Sequence, residues 1–223
     1  DKNNNEIIKK INVKNYLTYG TNKKSNFRIN NIIQNKEFSS FDLDINLPGK
    51  RSFSIKKIKI PLLGLHNIRN AAASAAICKI IGISSVLIKK GLNEFAGVER
   101  RFNKIKFYRG SLIFDDYAHH PTEIKEVLRG VKKVYENNEI ITIFQPHRIS
   151  RLKDLKNEFT RSFKNADKVI LCPIYLAGEK LKLGFSYYNF AKQLSYNSET
   201  QVILISNKLE LLNYIKNNIY GKK

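Results

Sequence analysis

Two periodicities divide the chain. Up to about residue 60, apolar and polar positions alternate over short runs: Ile11-Asn12-Val13, Tyr16-Leu17-Thr18-Tyr19 before Gly20, Phe27-Arg28-Ile29, and SFDLDI at 40–45. Such alternation predicts strands with one buried face, and Pro48-Gly49 marks a turn between them. In the 40–45 run, Phe41, Leu43 and Ile45 should face a core while Asp42 and Asp44 face water. After residue 64 the period lengthens. Leu65-His66-Asn67-Ile68-Arg69-Asn70 leads into residues 71–81, rich in strong helix formers, whose alanines permit close approach to a neighbouring sheet or helix. Gly82 ends this helix. Ser84 or Ser85 caps the next, which carries Leu87, Ile88, Leu92 and Phe95 on its apolar side.

From about residue 104 a strand–helix rhythm repeats four times. Strand 111–115 precedes a helix opened by Pro121, with Ile124, Val127, Leu128 and Val131 at helical spacing. Strand 140–144 precedes a helix carrying Leu152, Leu155, Phe159 and Phe163. Strand 168–174 leads to a helix near 187–194, and strand 201–205 to a last helix near 207–218. Continuous apolar strands alternating with helices predict an α/β fold, its sheet mostly parallel and covered on both faces.

Polar residues punctuate this rhythm at one kind of place. Strand one runs into Asp115-Asp116-Tyr117-Ala118-His119-His120, strand two into Gln145-Pro146-His147-Arg148-Ile149-Ser150-Arg151, and strand three into Tyr175-Leu176-Ala177-Gly178-Glu179. All three clusters fall at the carboxyl ends of strands, the edge where open α/β sheets bind ligands. All four histidines (His66, His119, His120, His147) sit at element junctions. Arg148 and Arg151, three apart at a helix start, can both reach one cleft, where two guanidinium forks suit a carboxylate or phosphate. The helix N-terminus should add partial positive charge. His119 and His120 are adjacent and point in divergent directions, which disfavours a shared zinc ion. Earlier in the chain, Asn67 and Asn70 share a helical face with His66 nearby. Amides there suit the edge of a nucleobase, or Asn67 simply caps the helix. Arg101, in the connector Gly97-Val98-Glu99-Arg100-Arg101-Phe102, is either solvated or reaches a phosphate or ribose. Neither a nucleophile elbow nor a G-x-x-x-x-G-K-[ST] loop is present, so any loop that grips ATP phosphates lies outside this chain.

Composition narrows the class only slightly. The 223 residues, 42% hydrophobic and 26% charged, suffice for one large or two modest domains. With 40 basic and 19 acidic residues the net charge is +21, which by itself suggests a polyanionic partner. Lysine, asparagine and isoleucine are, however, used heavily throughout, as at Asn22-Lys23-Lys24, and the basic residues form neither a stripe nor a run of five. A nucleic-acid-binding module is therefore the alternative reading. No apolar run approaches the ~20 residues of a membrane helix, and the polar first residues carry no signal-peptide pattern. The absence of Met suggests that the sequence begins inside a longer chain. Cys78 and Cys172 should be buried small hydrophobes, consistent with a reducing, cytoplasmic setting and with neither a disulfide framework nor a zinc site.

Four ordered motifs go further: Gly64-Leu65-His66-Asn67-Ile68-Arg69-Asn70-Ala71, Gly97-Val98-Glu99-Arg100-Arg101-Phe102, Asp115-Asp116-Tyr117-Ala118-His119-His120-Pro121-Thr122-Glu123 and Phe144-Gln145-Pro146-His147-Arg148. Together they resemble the Mur ligases, from about Tyr19 to the last helix. Gln145-Pro146-His147-Arg148 favours the alanine-adding branch over the murein-tripeptide recycling branch, which stays open as an alternative. The resemblance implies that residues 1–103 are the C-terminal part of a central ATP-binding domain, and 104–223 a Rossmann-like C-terminal domain. It implies nucleotide contacts from His66, Asn67, Asn70, Arg101 and Asp116. Tyr117, His119, His120, His147, Arg148 and Arg151 would bind substrate, with His119, Arg148 and Arg151 closest to the chemistry. The implied partners are ATP, UDP-N-acetylmuramate and L-alanine, with Mg²⁺ held mostly by residues outside this chain. Ile149 departs from the family's usual aromatic. The phosphate loop, the UDP-binding domain and the final strand are missing, so the chain alone is expected to be inactive.

Overall fold

The computed structural model describes residues 10, 15–95, 97–98, 102–180 and 185–220. The expected strand at 11–13, Glu99 and Arg101 lie outside the described residues. Two compact units emerge. The first takes in the described residues up to Ile33, Phe38–Pro61 and Asn67–Phe95; the second takes in Gln34–Glu37, Leu62–His66 and the described residues from Gly97 onward.

The first unit is a four-stranded sheet in the order β1-β2-β3-β4: β1 Tyr19–Gly20, β2 Phe27–Gln34, β3 Ser39–Ile45 and β4 Phe53–Ile60. Phe41, Leu43 and Ile45 are buried as their alternation predicts. Asp42 is not solvated. It is 8% exposed and sits opposite a bulge, because the β3–β4 register jumps from Phe41↔Ile58 to Leu43↔Ile55. The two residues of β4 facing Asp42 are Lys56 and Lys57, and Lys57 adopts φ 53°. This turns its N–H out of the ladder and into the Asp42 carboxylate at 2.7 Å. Asn31, itself at φ 48°, donates its side-chain amide to Asp42 at 2.8 Å, and Lys56 lies 3.4 Å away. Asp44 likewise accepts from Ser54 at 2.6 Å and lies 3.6 Å from Lys56. Burial pushes the Asp42 carboxyl up, but the Lys57 N–H, the Asn31 amide and the Lys56 ammonium outweigh it and hold it below its ordinary value.

Helix α1 spans Leu65–Ile80, and its buried Ala71, Ala72, Ala75 and Ala76 form the close-packing face the sequence suggests. It ends as predicted at Gly82, whose φ of 93° permits a Schellman closure: Ile83 N–H to Cys78 C=O and Gly82 N–H to Lys79 C=O. Cys78 is only half-buried. Ser84 caps α2, Ser85–Glu94, through the Leu87 N–H. Of the apolar side predicted for α2, Ile88 is buried while Leu87 and Phe95 are exposed.

In the second unit, β5 (Asn103–Tyr108) and β6 (Ser111–Asp115) form an antiparallel hairpin. Strand one is therefore not paired into the parallel sheet. Its two-residue loop, Arg109-Gly110, has both residues at positive φ (47° and 80°), the geometry that matches strand twist in a tight hairpin. Helix α3 (Pro121–Val134) follows, then β7 (Ile141–Phe144), α4 (Ile149–Asp154), α5 (Lys156–Phe159), β8 (Lys168–Leu171), α6 (Tyr187–Ser198), β9 (Gln201–Leu204) and α7 (Lys208–Asn218). The helix expected after strand two is thus split at Leu155. β7, β8 and β9 pair in parallel and in order, as the rhythm predicts. Their core side chains meet α3, α5 and α6, with the Phe144 ring between Phe159 and Phe163 at 5.9 and 5.1 Å. Cys172 is buried just beyond β8, and its carbonyl accepts from the Tyr187 hydroxyl.

Candidate functional site

Each corner of the second unit is built by local backbone chemistry. After β6, the Asp116 carboxylate accepts the Ala118 N–H at 2.7 Å, closing a turn that sends the chain across the strand end. Helix α3 then starts with a capping box. Glu123 accepts the N–H groups of His119 and His120 at 3.1 and 3.2 Å, and His120 Nδ1 accepts the Thr122 N–H. Pro121 takes the first helical position, where its missing N–H costs nothing. The two adjacent histidines are thus put to different uses. His120 caps, while the His119 ring packs edge-on against Tyr117 at 4.9 Å and lies 6.3 Å from the His147 ring. His119 Nδ1 is 2.9 Å from the Tyr117 carbonyl. A carbonyl only accepts, so Nδ1 carries the hydrogen and Nε2 is left as the basic nitrogen of the neutral ring.

The second and third corners are bridged through the backbone. Arg148 N–H donates to Tyr175 C=O and Tyr175 N–H to Pro146 C=O, both at 2.8 Å, and the His147 and Tyr175 rings lie 5.3 Å apart. Tyr117, His119, His147 and Tyr175 therefore make one row of rings drawn from all three corners. Arg148 caps α4 with φ 67° and ψ 127°, a conformation costing a non-glycine residue on the order of 1–3 kcal/mol. Burial, then the charges of Arg151, Arg148 and His119, press the His147 imidazole below its ordinary value near 6.5, with Glu179 acting in the opposite sense. His147 is thus neutral at pH 7. Two buried polar atoms here, His147 Nδ1 and Arg151 Nη1, have no hydrogen-bond partner among the described residues. The orphaned guanidinium donor of Arg151, with a second unpartnered polar nitrogen on His147 beside it, fits an anion such as a carboxylate or phosphate.

The helix N-terminus is not available to that anion. Glu179 occupies it, accepting the Ser150 N–H at 2.9 Å and the Ser150 hydroxyl at 2.6 Å. These bonds, with the Arg148 charge, hold its carboxyl below the usual range. The sequence presents Glu179 as part of the third cluster but gives it no role. The signal was there: Ala177 and Gly178 at φ 52° and 86°, closed by Glu179 N–H to Leu176 C=O, form a tight turn that delivers an acid to the sheet edge.

Of the residues singled out from sequence, the fold brings together Tyr117, His119, His147, Arg148 and Arg151. Asp116 stands beside them, engaged in its own turn, and His120 is committed to its cap. Asn67 and Asn70 belong to the first unit; Asn67 is buried within α1, two positions past its start, and Asn70 is exposed. His66 belongs to the second unit, half-buried, its ring against Gly64.

Comparison with known proteins gives one family. Residues 100–221 match the Mur ligase glutamate ligase domain, and residues 1–78 match the Mur ligase middle domain. A UDP-N-acetylmuramate–L-alanine ligase from Pelagibacter ubique is 61% identical over all 223 residues, which cover 48% of its length. The enzyme of the same name from Bartonella tribocorum is 40% identical over 190 residues, 85% of this chain and 40% of its own. Among solved structures, the UDP-N-acetylmuramate–alanine ligase of Thermotoga maritima superposes with a TM-score of 0.69 at 26% identity, covering 91% of this chain and 41% of that one. A murein peptide ligase from Psychrobacter arcticus shares the fold, with a TM-score of 0.59 at 21% identity over 92% of this chain and 41% of that one. The chain spans about half the length of the curated relatives it matches.

Proposed function

The chain belongs to the Mur ligase family, and from that premise we propose that it supplies the amino-acid-binding part of an ATP-dependent ligase. The proposed enzyme joins L-alanine to the muramoyl carboxylate of UDP-N-acetylmuramate, in the cytoplasm. The domain boundary is placed near residue 103, as the motifs suggest. The observation that carries the reading is the orphaned buried donor Arg151 Nη1, with the unpartnered His147 Nδ1 and the Arg148 charge beside it. Together they would hold one carboxylate, and three of the four relatives named above are named as ligases of alanine.

In the proposed reaction the muramoyl carboxylate attacks the γ-phosphorus of ATP, giving an acyl phosphate and ADP. The alanine nitrogen then attacks the acyl carbon, phosphate leaves, and the nitrogen sheds a proton as the amide forms. Arg148 and Arg151 hold the alanine carboxylate, fixing its nitrogen toward the acyl group; such positioning accounts for much of the rate of a bimolecular step. His119, its Nδ1 committed to Tyr117, offers Nε2 to take the proton. Tyr117 and Tyr175, both exposed at the open edge, flank the entrance. Asn67, Asn70, His66, Arg101 and Asp116 remain the proposed nucleotide contacts. Among the described residues no group of three His, Cys, Asp or Glu side chains is gathered to hold a metal ion. No step is therefore assigned to a Mg²⁺ ion bound by this chain.

Arg148→Ala in the full-length enzyme tests the reading. The KM for L-alanine should rise by roughly tenfold to a hundredfold, the loss expected for a charge-assisted hydrogen bond, at unchanged KM for ATP. An unaltered alanine KM would remove the carboxylate pocket.

A further inference from the structure

The Arg148 backbone is held from both sides by one turn. On its N-terminal side, Pro146 and Arg148 are tied to Tyr175 by two backbone bonds of 2.8 Å. On its C-terminal side, Glu179 binds the Ser150 N–H and hydroxyl and draws on the Ile149 N–H. Tyr175 and Glu179 are four residues apart, and the Ala177-Gly178 turn between them fixes their separation. Arg148 lies between these two anchors, at a positive φ that an arginine does not choose freely. Its own N–H and C=O are spent, the first on Tyr175 and the second on Leu152 N–H at 3.2 Å. What remains for it to offer is the guanidinium.

We propose that Glu179 is a positioning residue for the carboxylate pocket. By clamping the start of α4 it holds Arg148 in its strained conformation and so aims the guanidinium alongside Arg151 and His147. The inference rests on the reading of that pocket given above. An acid beside a pocket for anions would by itself be counterproductive. Here both carboxylate oxygens are turned to Ser150, so the carboxylate makes its hydrogen bonds to α4, while its charge also favours the neighbouring Arg148 guanidinium. The same contact explains why the third corner carries an acid at all: the six-residue α4 has no side-chain cap of its own at Arg148.

A double-mutant cycle in the full-length enzyme tests this, with L-alanine as the probe. Glu179→Ala should raise the alanine KM about tenfold, the worth of one charge-assisted hydrogen bond, while kcat and the ATP KM change by less than threefold. Glu179→Gln keeps an acceptor for the Ser150 N–H and should recover part of the loss. In an Arg148→Ala background, Glu179→Ala should cost almost nothing more, since its effect travels through Arg148. Three results would overturn the proposal: an unchanged alanine KM in Glu179→Ala, a full additional loss in the Arg148→Ala background, or an equal loss in kcat and ATP KM. Should Glu179→Ala fail to fold, Ser150→Ala removes the hydroxyl half of the clamp and must raise the alanine KM at least threefold. If Arg148→Ala itself leaves the alanine KM unmoved, the pocket reading fails; if only the Glu179 variants do, the pocket stands and the clamp fails.

Discussion

Asp42 is a buried acid on the strand face opposite Phe41, Leu43 and Ile45, and both of its hydrogen-bond donors sit at a local irregularity. The bulge at Lys56-Lys57 releases a backbone N–H, and Asn31, at positive φ, donates a side-chain amide hydrogen bond to the same carboxylate. Removing the carboxylate deletes its hydrogen bonds to the Lys57 N–H and the Asn31 amide and its ion pair with Lys56. Asp42→Ala should therefore destabilise the protein by about 2 kcal/mol in urea unfolding at pH 7. The dependence on pH follows from the direction of its titration. A carboxyl held below 3.8 when folded contributes stability above that value and loses it as pH falls through the folded one. The gap between Asp42→Ala and the parent should close in acid; a gap that widened below pH 4 would contradict the assignment. At this scale the sequence was only half legible. Period-two alternation correctly buried Phe41, Leu43 and Ile45, and wrongly exposed Asp42, because the bulge lies on the neighbouring strand. A trace of it can be read there: Ile55, Ile58 and Ile60 are all buried, a spacing of three then two.

Among the elements, α3 carries a glycine where helix propensity alone would prefer alanine. A Cβ on Gly130 would lie 3.2 Å from the Cα of Gly64, and Gly64 is itself backed by the His66 ring, which its own Cβ would meet at 2.7 Å. The Gly64 segment has no room to retreat. Gly130→Ala, worth about 1 kcal/mol in helix propensity, should instead lower the melting temperature; a stabilised variant would refute this close approach. Element boundaries were legible where caps carry side-chain chemistry, as at Ser84, Gly82 and Pro121. The β5–β6 hairpin was not, because its loop is Arg109-Gly110 rather than the familiar Asn-Gly or Asp-Gly. The strand at 111–115 then passed for the first strand of the parallel sheet. The corner formed by Glu179 and Ser150 was hidden for another reason: its partners are 29 residues apart, one in a turn and one at a helix start, and no periodicity connects them.

For the whole molecule, each unit buries its own apolar residues: Phe27, Phe41, Leu43, Ile45 and the α1 alanines in one, and the Phe144, Phe159 and Phe163 cluster in the other. Calorimetry should accordingly resolve two transitions, and Asp42→Ala should lower one while leaving the other in place. A single transition shifting as a unit would show that the cores melt together. That the sequence singles out one edge of the sheet as the candidate site has a simple origin. Strand ends in an α/β sheet are where side chains escape the packing that makes core residues interchangeable, so imidazoles and guanidiniums stand out there against apolar runs.

Arg148 has one further consequence. Its backbone geometry is the kind that glycine adopts without penalty, so a redesign that optimised melting temperature would replace it with glycine and gain stability. The same change would delete the guanidinium. Thermal robustness and the proposed substrate affinity therefore pull in opposite directions at this one position, and a stability-ranked library would discard the side chain on which the proposed carboxylate pocket depends.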